Sequence, residues 1–129
     1  NALNWNKIPI YGDGKNVRDW LFVDDHCDAL NLIIKTGKKG DTYNIGGENE
    51  ISNINLVKFI CNRLDDISPN SNGPYKNLIS FIKDRPGHDV RYAVDSSKLK
   101  NDLGWKSKNT FYESMDYTLK WYLKNFIRK

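Results

Sequence analysis

The sequence predicts a mixed α/β fold in a single domain, and three observations carry that expectation. Apolar residues recur at three- and four-residue intervals in three separate stretches, the signature of helices with one buried face. Between them lie short runs of β-branched and aromatic residues bounded by Gly, Pro, Asn and Asp. The connections are short, and 129 residues make one ordinary domain. With 39% hydrophobic residues the chain can bury a core, which excludes wholesale disorder. The same alternation also admits the α+β class.

Residues 1–6 read as the tail of a helix. Ile8-Pro9-Ile10-Tyr11 is extended, because Pro9 excludes a helix interior. Gly12-Asp13-Gly14 is a turn, and Val17 to Val23 a second strand, so residues 8–23 are expected to form a hairpin. Asp24 or Asp25 can cap a helix carrying Leu30, Ile33 and Ile34 on one face and ending at Gly37. Thr42-Tyr43-Asn44-Ile45 reads as a strand ended by Gly46-Gly47. Ser52 or Asn53 starts the next helix, with Leu56, Val57, Ile60, Leu64 and Ile67 at helical spacing and Cys61 beside them. A loop over residues 68–74 precedes a strand at Leu78 to Ile82. Asp95-Ser96-Ser97 opens a short helix that Gly104 stops. The last helix spans about Thr110 to Asn125, with Phe111, Met115, Leu119, Tyr122 and Phe126 as its buried stripe. No repeat or linker divides the chain.

Cys27 and Cys61, both on apolar helical faces, read as buried reduced thiols, the usage of a cytoplasmic protein. His26, Cys27, Cys61 and His88 have no recognised metal-ligand spacing, so no metal site is expected. No apolar run approaches the roughly 18 residues of a membrane span. The first residue is Asn1 rather than Met, which suggests a piece of a longer protein. The net charge of +4 favours anionic partners. Lys35, Lys38, Lys39, Lys98 and Lys100 together with the tryptophans raise a nucleic-acid reading, but the cations are interleaved with acids. A solvated surface over core aromatics is the simpler account, and no nucleic acid is expected.

Two motifs look like dinucleotide chemistry and lack its context. Gly12-Asp13-Gly14 lies between two strands, whereas a pyrophosphate cradle needs a strand followed by a helix N-terminus. Tyr11 and Lys15 have Tyr-x-x-x-Lys spacing, which works only on a helix face, and Gly-Asp-Gly between them is poor helix material. No catalytic residue is assigned.

Two other elements suit an anion. Arg18, on a strand near Tyr11, presents a planar charged fork suited to phosphate, unless it pairs with Asp19 or Asp13. In Asp84-Arg85-Pro86-Gly87-His88-Asp89, Pro86 and Gly87 shape a bend that Arg85 and His88 flank; the alternative is a plain polar connection. Two arginines on separate rigid elements are what a diphosphate requires. Asn53, at a helix start, is either a cap or a ligand contact.

Four runs carry a resemblance: Ile8-Pro9-Ile10-Tyr11-Gly12-x-Gly14; Val17-Arg18-Asp19-Trp20-Leu21-x-Val23-x-Asp25-His26; Thr42-Tyr43-Asn44-Ile45-Gly46-Gly47; and Asp84-Arg85-Pro86-Gly87-His88-Asp89-x-Arg91-Tyr92-Ala93. Together with Leu103-Gly104-Trp105 and Trp121-Tyr122-Leu123, they resemble the C-terminal part of the dTDP-glucose 4,6-dehydratases. These are extended short-chain dehydrogenases/reductases. The resemblance implies an α/β substrate-binding lobe over residues 1–129, with the NAD-binding Rossmann half mostly absent. It implies an enzyme that oxidises C4 of dTDP-glucose with NAD, eliminates water across C5 and C6 and returns the hydride to C6, a homodimer of the cytoplasm serving deoxysugar synthesis.

Carried over by position, Pro9, Ile10 and Tyr11 line the nucleoside, Arg18 holds phosphate, and Asn53 touches the nucleotide sugar. Asp84, Arg85, Pro86, Gly87 and His88 form the second substrate loop. The glycine-rich cofactor turn, a genuine Tyr-x-x-x-Lys and the elimination acid pair have no counterpart, so cofactor-binding residues are not assigned and the chain alone is expected to be inactive. The rival readings are a related UDP-sugar decarboxylase or epimerase, and a free-standing anion- or nucleic-acid-binding module.

Overall fold

The computed structural model describes residues 1–126. After a 3-10 turn at Ala2–Asn4 come β1 (Ile8–Tyr11), β2 (Val17–Asp19) and α1 (Val23–Thr36). β3 (Glu50–Ser52) runs directly into α2 (Asn53–Ile67), a second 3-10 turn at Tyr75–Leu78 into β4 (Ile79–Ile82), and α3 (Ser97–Leu103) and α4 (Phe111–Phe126) follow.

The mixed α/β class holds, but the expected hairpin does not form. β1 pairs in parallel with β4, Ile8 against Ile79 through Tyr11 against Ile82. β2 pairs antiparallel with β3, Val17 against Ser52. The turn at Gly12-Asp13-Gly14 therefore passes the chain from one two-stranded sheet to the other. β2 also stops at Asp19 rather than Val23, and α1 begins at Val23. Thr42–Ile45 is not in a ladder; Tyr43 and Ile45 instead pack against a core cluster.

Among the described residues two clusters hold most of the buried apolar side chains. Cys61 and Leu64 of α2 meet Tyr75, Leu78 and Leu119 of α4, with Val57, Ile60, Met115 and Leu123 around them. Ala29 of α1, Leu99 of α3 and Trp105 form the other, with Leu21, Leu32, Ile33 and Leu103 around them. Burying these side chains is the main driving force for each cluster. α2 starts where expected, with the Ser52 hydroxyl accepting from the Asn55 N–H. Gly104, in the left-handed conformation, ends α3.

The helical faces and one helix cap need correction. α1 turns Asp25 and Ala29 inward and leaves Leu30 and Ile34 exposed, because α3 and Trp105 lie on the Ala29 side. Its N-cap is Phe22, with neither Asp24 nor Asp25 capping; Asp25 instead accepts from the Lys108 N–H at 3.0 Å. α4 buries Leu119 and partly buries Leu123, while Tyr122 and Phe126 are exposed and stack on each other. Cys27, on the outer side of α1, is likewise exposed, whereas Cys61 is fully buried. Among the described residues no helix is long and apolar enough to cross a membrane.

Candidate functional site

The two small sheets meet around one polar loop, residues 83–92. Its leading end is fixed by β4 on β1, and the Gly12 N–H donates to the Ile82 carbonyl at 3.0 Å. Its trailing end is stitched to β2, where the Val17 N–H donates to the Val90 carbonyl at 2.8 Å and the Tyr92 N–H to the Val17 carbonyl at 3.0 Å. The loop is thereby held beside Arg18, the residue after Val17.

Arg18 spends three N–H donors on the protein. Nη1 donates to the Val17 carbonyl at 2.6 Å, and Nη2 reaches the Asp89 carbonyl at 3.1 Å and His88 Nε2 at 3.0 Å. Its guanidinium stacks over the Tyr92 ring at 4.5 Å. Neither suggested carboxylate partner takes it. Asp13 pairs with Lys15 at 2.9 Å, and Asp19 accepts the N–H groups of Gly47 and Asn49 at 2.9 and 2.8 Å.

His88 is the enclosed member of the loop, its side chain 7% exposed. Nδ1 lies 2.7 Å from Asp84 Oδ1, and the hydrogen bond holds the Asp84 carboxyl below its usual range. The Tyr11 ring meets the imidazole edge-on at 6.0 Å. The Tyr92 hydroxyl donates to Asp89, whose carboxylate raises the phenol pKa; the positive charges of Arg18 and Arg85 act on the same hydroxyl in the opposite sense. Arg85 is exposed, its N–H donating to Asp84 Oδ1 at 2.9 Å.

Tyr11, Arg18, Asp84, Arg85 and His88 thus come together as one polar patch, with Pro86 and Gly87 forming the exposed bend between them. Pro9 is exposed on β1, but the Ile10 side chain is 5% exposed and turned to the core, so Ile10 offers the site only its backbone. Ser52, not Asn53, caps α2. Asn53 stands beside the site through its N–H, which donates to the Asn16 carbonyl at 3.0 Å, while the Asn16 amide donates to the Asp89 carbonyl at 3.2 Å.

Sequence reasoning missed Asn16 and gave Tyr92 no role of its own. Asn16 carries no local signal, since its two partners lie 37 and 73 residues away. The three-residue spacing of Asp89 and Tyr92 in a polar run was the available hint.

The Gly12-Asp13-Gly14 turn does not fit a dinucleotide cradle. It feeds β2 rather than a helix N-terminus, and Ile10 and Ile54 already fill the space over Gly14.

This architecture is that of an α/β piece of the short-chain dehydrogenase/reductase type. The crystal structure of dTDP-glucose 4,6-dehydratase from Bacillus anthracis, in complex with NAD, superposes over 99% of the chain and 38% of its own, with TM-score 0.85 and 42% identity. The enzyme from Streptomyces venezuelae, with NAD and TYD bound, superposes over 97% of the chain and 36% of its own, with TM-score 0.83 and 34% identity. The chain belongs to the GDP-mannose 4,6 dehydratase family, whose model matches residues 1–118. In sequence it is 52% identical over 125 residues to a probable dTDP-glucose 4,6-dehydratase of Sinorhizobium fredii, covering 97% of the chain and 35% of that protein. It is 50% identical over 128 residues to the dTDP-glucose 4,6-dehydratase of Neisseria meningitidis, covering 97% of the chain and 36% of that protein. The chain spans about a third of the length of these curated relatives.

Proposed function

We propose that residues 1–129 form the nucleotide-sugar-binding lobe of a dTDP-glucose 4,6-dehydratase, taking the dTDP part of dTDP-glucose. The observation that supports this best is the placement of Arg18, an always-charged fork on a strand, against a shaped loop carrying Arg85 and His88. Arg18 and Arg85 bind the diphosphate, a contact that charge-assisted donors make strong. Pro9, the Ile10 backbone and Tyr11 line the nucleoside, and Asn53 approaches the nucleotide sugar from the start of α2. Asp84, Pro86, Gly87 and His88 shape the loop.

NAD supplies the hydride chemistry in such an enzyme and is held by residues outside this lobe. The chain therefore binds and orients substrate, and it has no dehydratase activity by itself. On the same reading the whole enzyme is a cytoplasmic homodimer without nucleic-acid or membrane partners.

Calorimetric titration with dTDP tests the proposal. Arg18→Ala and Arg85→Ala should each weaken binding by about 1.5–3 kcal/mol, the worth of a hydrogen bond to a charged group. If neither substitution changes the affinity, the diphosphate assignment is wrong. UDP binding tighter than dTDP would favour a UDP-sugar epimerase or decarboxylase. Salt-dependent binding of generic DNA without dTDP binding would favour a nucleic-acid module. Turnover of dTDP-glucose by the chain with NAD would overturn the inactivity.

A further inference from the structure

The side chains behind Arg18 form a chain with a fixed direction. A guanidinium only donates, so His88 Nε2, 3.0 Å from Arg18 Nη2, must accept. A neutral imidazole that accepts at Nε2 carries its proton at Nδ1, and that N–H faces Asp84 Oδ1 at 2.7 Å. A carboxylate at Nδ1 thus selects the tautomer that leaves a lone pair for the arginine. The other acceptors of Arg18 are main-chain carbonyls of Val17 and Asp89, and Tyr92 supplies a ring face. His88 is the side-chain acceptor among these contacts, and its enclosure leaves little room for water to take its place.

From this geometry we infer that Asp84 and His88 are positioning residues. Asp84 holds His88 in its Nδ1–H tautomer, and His88 then aims the Arg18 guanidinium at the ligand's diphosphate. The inference rests on the proposed function for the ligand alone; the Asp84–His88–Arg18 relay stands on contacts within the chain. Protonating His88 would replace the acceptor with a donor and place two cations in contact. The groups facing the imidazole are Arg18 from β2, Tyr11 from β1 and Asp84 from its own loop, with Asp89 and Tyr92 beside Arg18.

The test begins without ligand. Long-range nitrogen–proton NMR of the full chain at alkaline pH should show His88 as the Nδ1–H tautomer. The Nε2–H tautomer would overturn the relay, whether or not any variant folds. Relaxation of the Arg18 Nε–H should report a rigid group that loosens as His88 protonates. It should also loosen in His88→Leu and Asp84→Ala, and remain rigid and insensitive to pH in His88→Gln, whose amide oxygen can accept. An Arg18 equally ordered in all these states overturns the relay.

Titration with dTDP then separates the two claims. His88→Leu should weaken binding about tenfold in the wild-type background and less than about twofold when Arg18 is already Ala, because a residue acting through another is non-additive. Full additivity means that His88 touches the ligand directly, and overturns positioning. An Arg18→Ala variant that binds dTDP like the wild type takes Arg18 out of the diphosphate contact and leaves the NMR result to decide the relay.

Discussion

Gly14 and Gly12 lie two residues apart with the same backbone hand, yet alanine should cost very different amounts at the two. Both have positive φ, 72° and 57°, a region that costs an L-residue roughly 1–2 kcal/mol. At Gly14 an added Cβ would sit 2.6 Å from Ile10 Cγ2 and 2.9 Å from Ile54 Cβ. Ile10 is buried and Ile54 lies in the first turn of α2, so neither can withdraw, and overpacking adds about 1–3 kcal/mol. At Gly12 the nearest atom is Asp84 Oδ2 at 2.9 Å, the free end of a side chain that can swing away. Gly12→Ala should therefore cost its φ penalty plus the roughly 0.5–1.5 kcal/mol of the hydrogen bond lost as Asp84 is drawn away from His88. Gly40, with φ 84° and nothing within 4 Å, is the control for the φ penalty alone. Urea unfolding followed by circular dichroism should rank the losses Gly14→Ala well above Gly12→Ala, with Gly40→Ala at or below the latter. The His88 imidazole nitrogen shifts should move in Gly12→Ala and stay fixed in Gly40→Ala. Equal urea midpoints for all three variants, or an unmoved His88 in Gly12→Ala, would refute the close-approach reasoning.

Leu99→Ala should destabilise the fold by about 3 kcal/mol, since Leu99 is fully buried against Ala29 and Trp105 and its truncation leaves a cavity. Ile34→Ala, at a side chain 83% exposed, should stay within about 0.5 kcal/mol in the same urea experiment. Asp116 accepts Arg63 through both oxygens, at 2.8 and 2.7 Å, and that guanidinium lowers its pKa in the folded state. Its contribution is therefore complete above the unfolded carboxylate pKa and is lost as pH falls through the folded one. Melting curves of wild type and Asp116→Asn should accordingly converge in acid; parallel curves would mean that the pair adds nothing. Burial pushes the Cys61 thiol up to about 11, whereas Cys27 is exposed, so a thiol reagent should label Cys27 in the native chain and Cys61 only on unfolding.

The helices were legible because their evidence is local. Ser52 caps α2, Gly104 stops α3, and the apolar spacing of α2 matches its buried side. Which side of α1 and α4 turns inward was less legible, since both helices carry more apolar residues than the described core covers. Leu30 and Ile34, and likewise Tyr122 and Phe126, keep the helical period and still face outward. Strand pairing was the main failure. A turn rich in Gly and Asp between two apolar runs looks the same whether it closes a hairpin or hands the chain to another sheet. The true partners of β1 and β2 lie far along the sequence. At the site, Arg18 and His88 announced themselves by residue type and by the bend that Pro86 and Gly87 make. The Val17 and Asp89 carbonyls that hold Arg18 are main-chain groups, which no residue type can advertise.

Arg18 and His88 are seventy residues apart in the chain, and the parallel pairing of β1 with β4 brings their neighbourhoods together. Contacts of that sequence separation form slowly, because a long loop must close before any of them is rewarded. α1, α2 and α4 can gain helix from neighbouring residues on a far shorter timescale. During refolding, helical signal should therefore return before the Arg18–His88 contact exists. The last event to complete the polar patch is then loop closure across the whole middle of the chain.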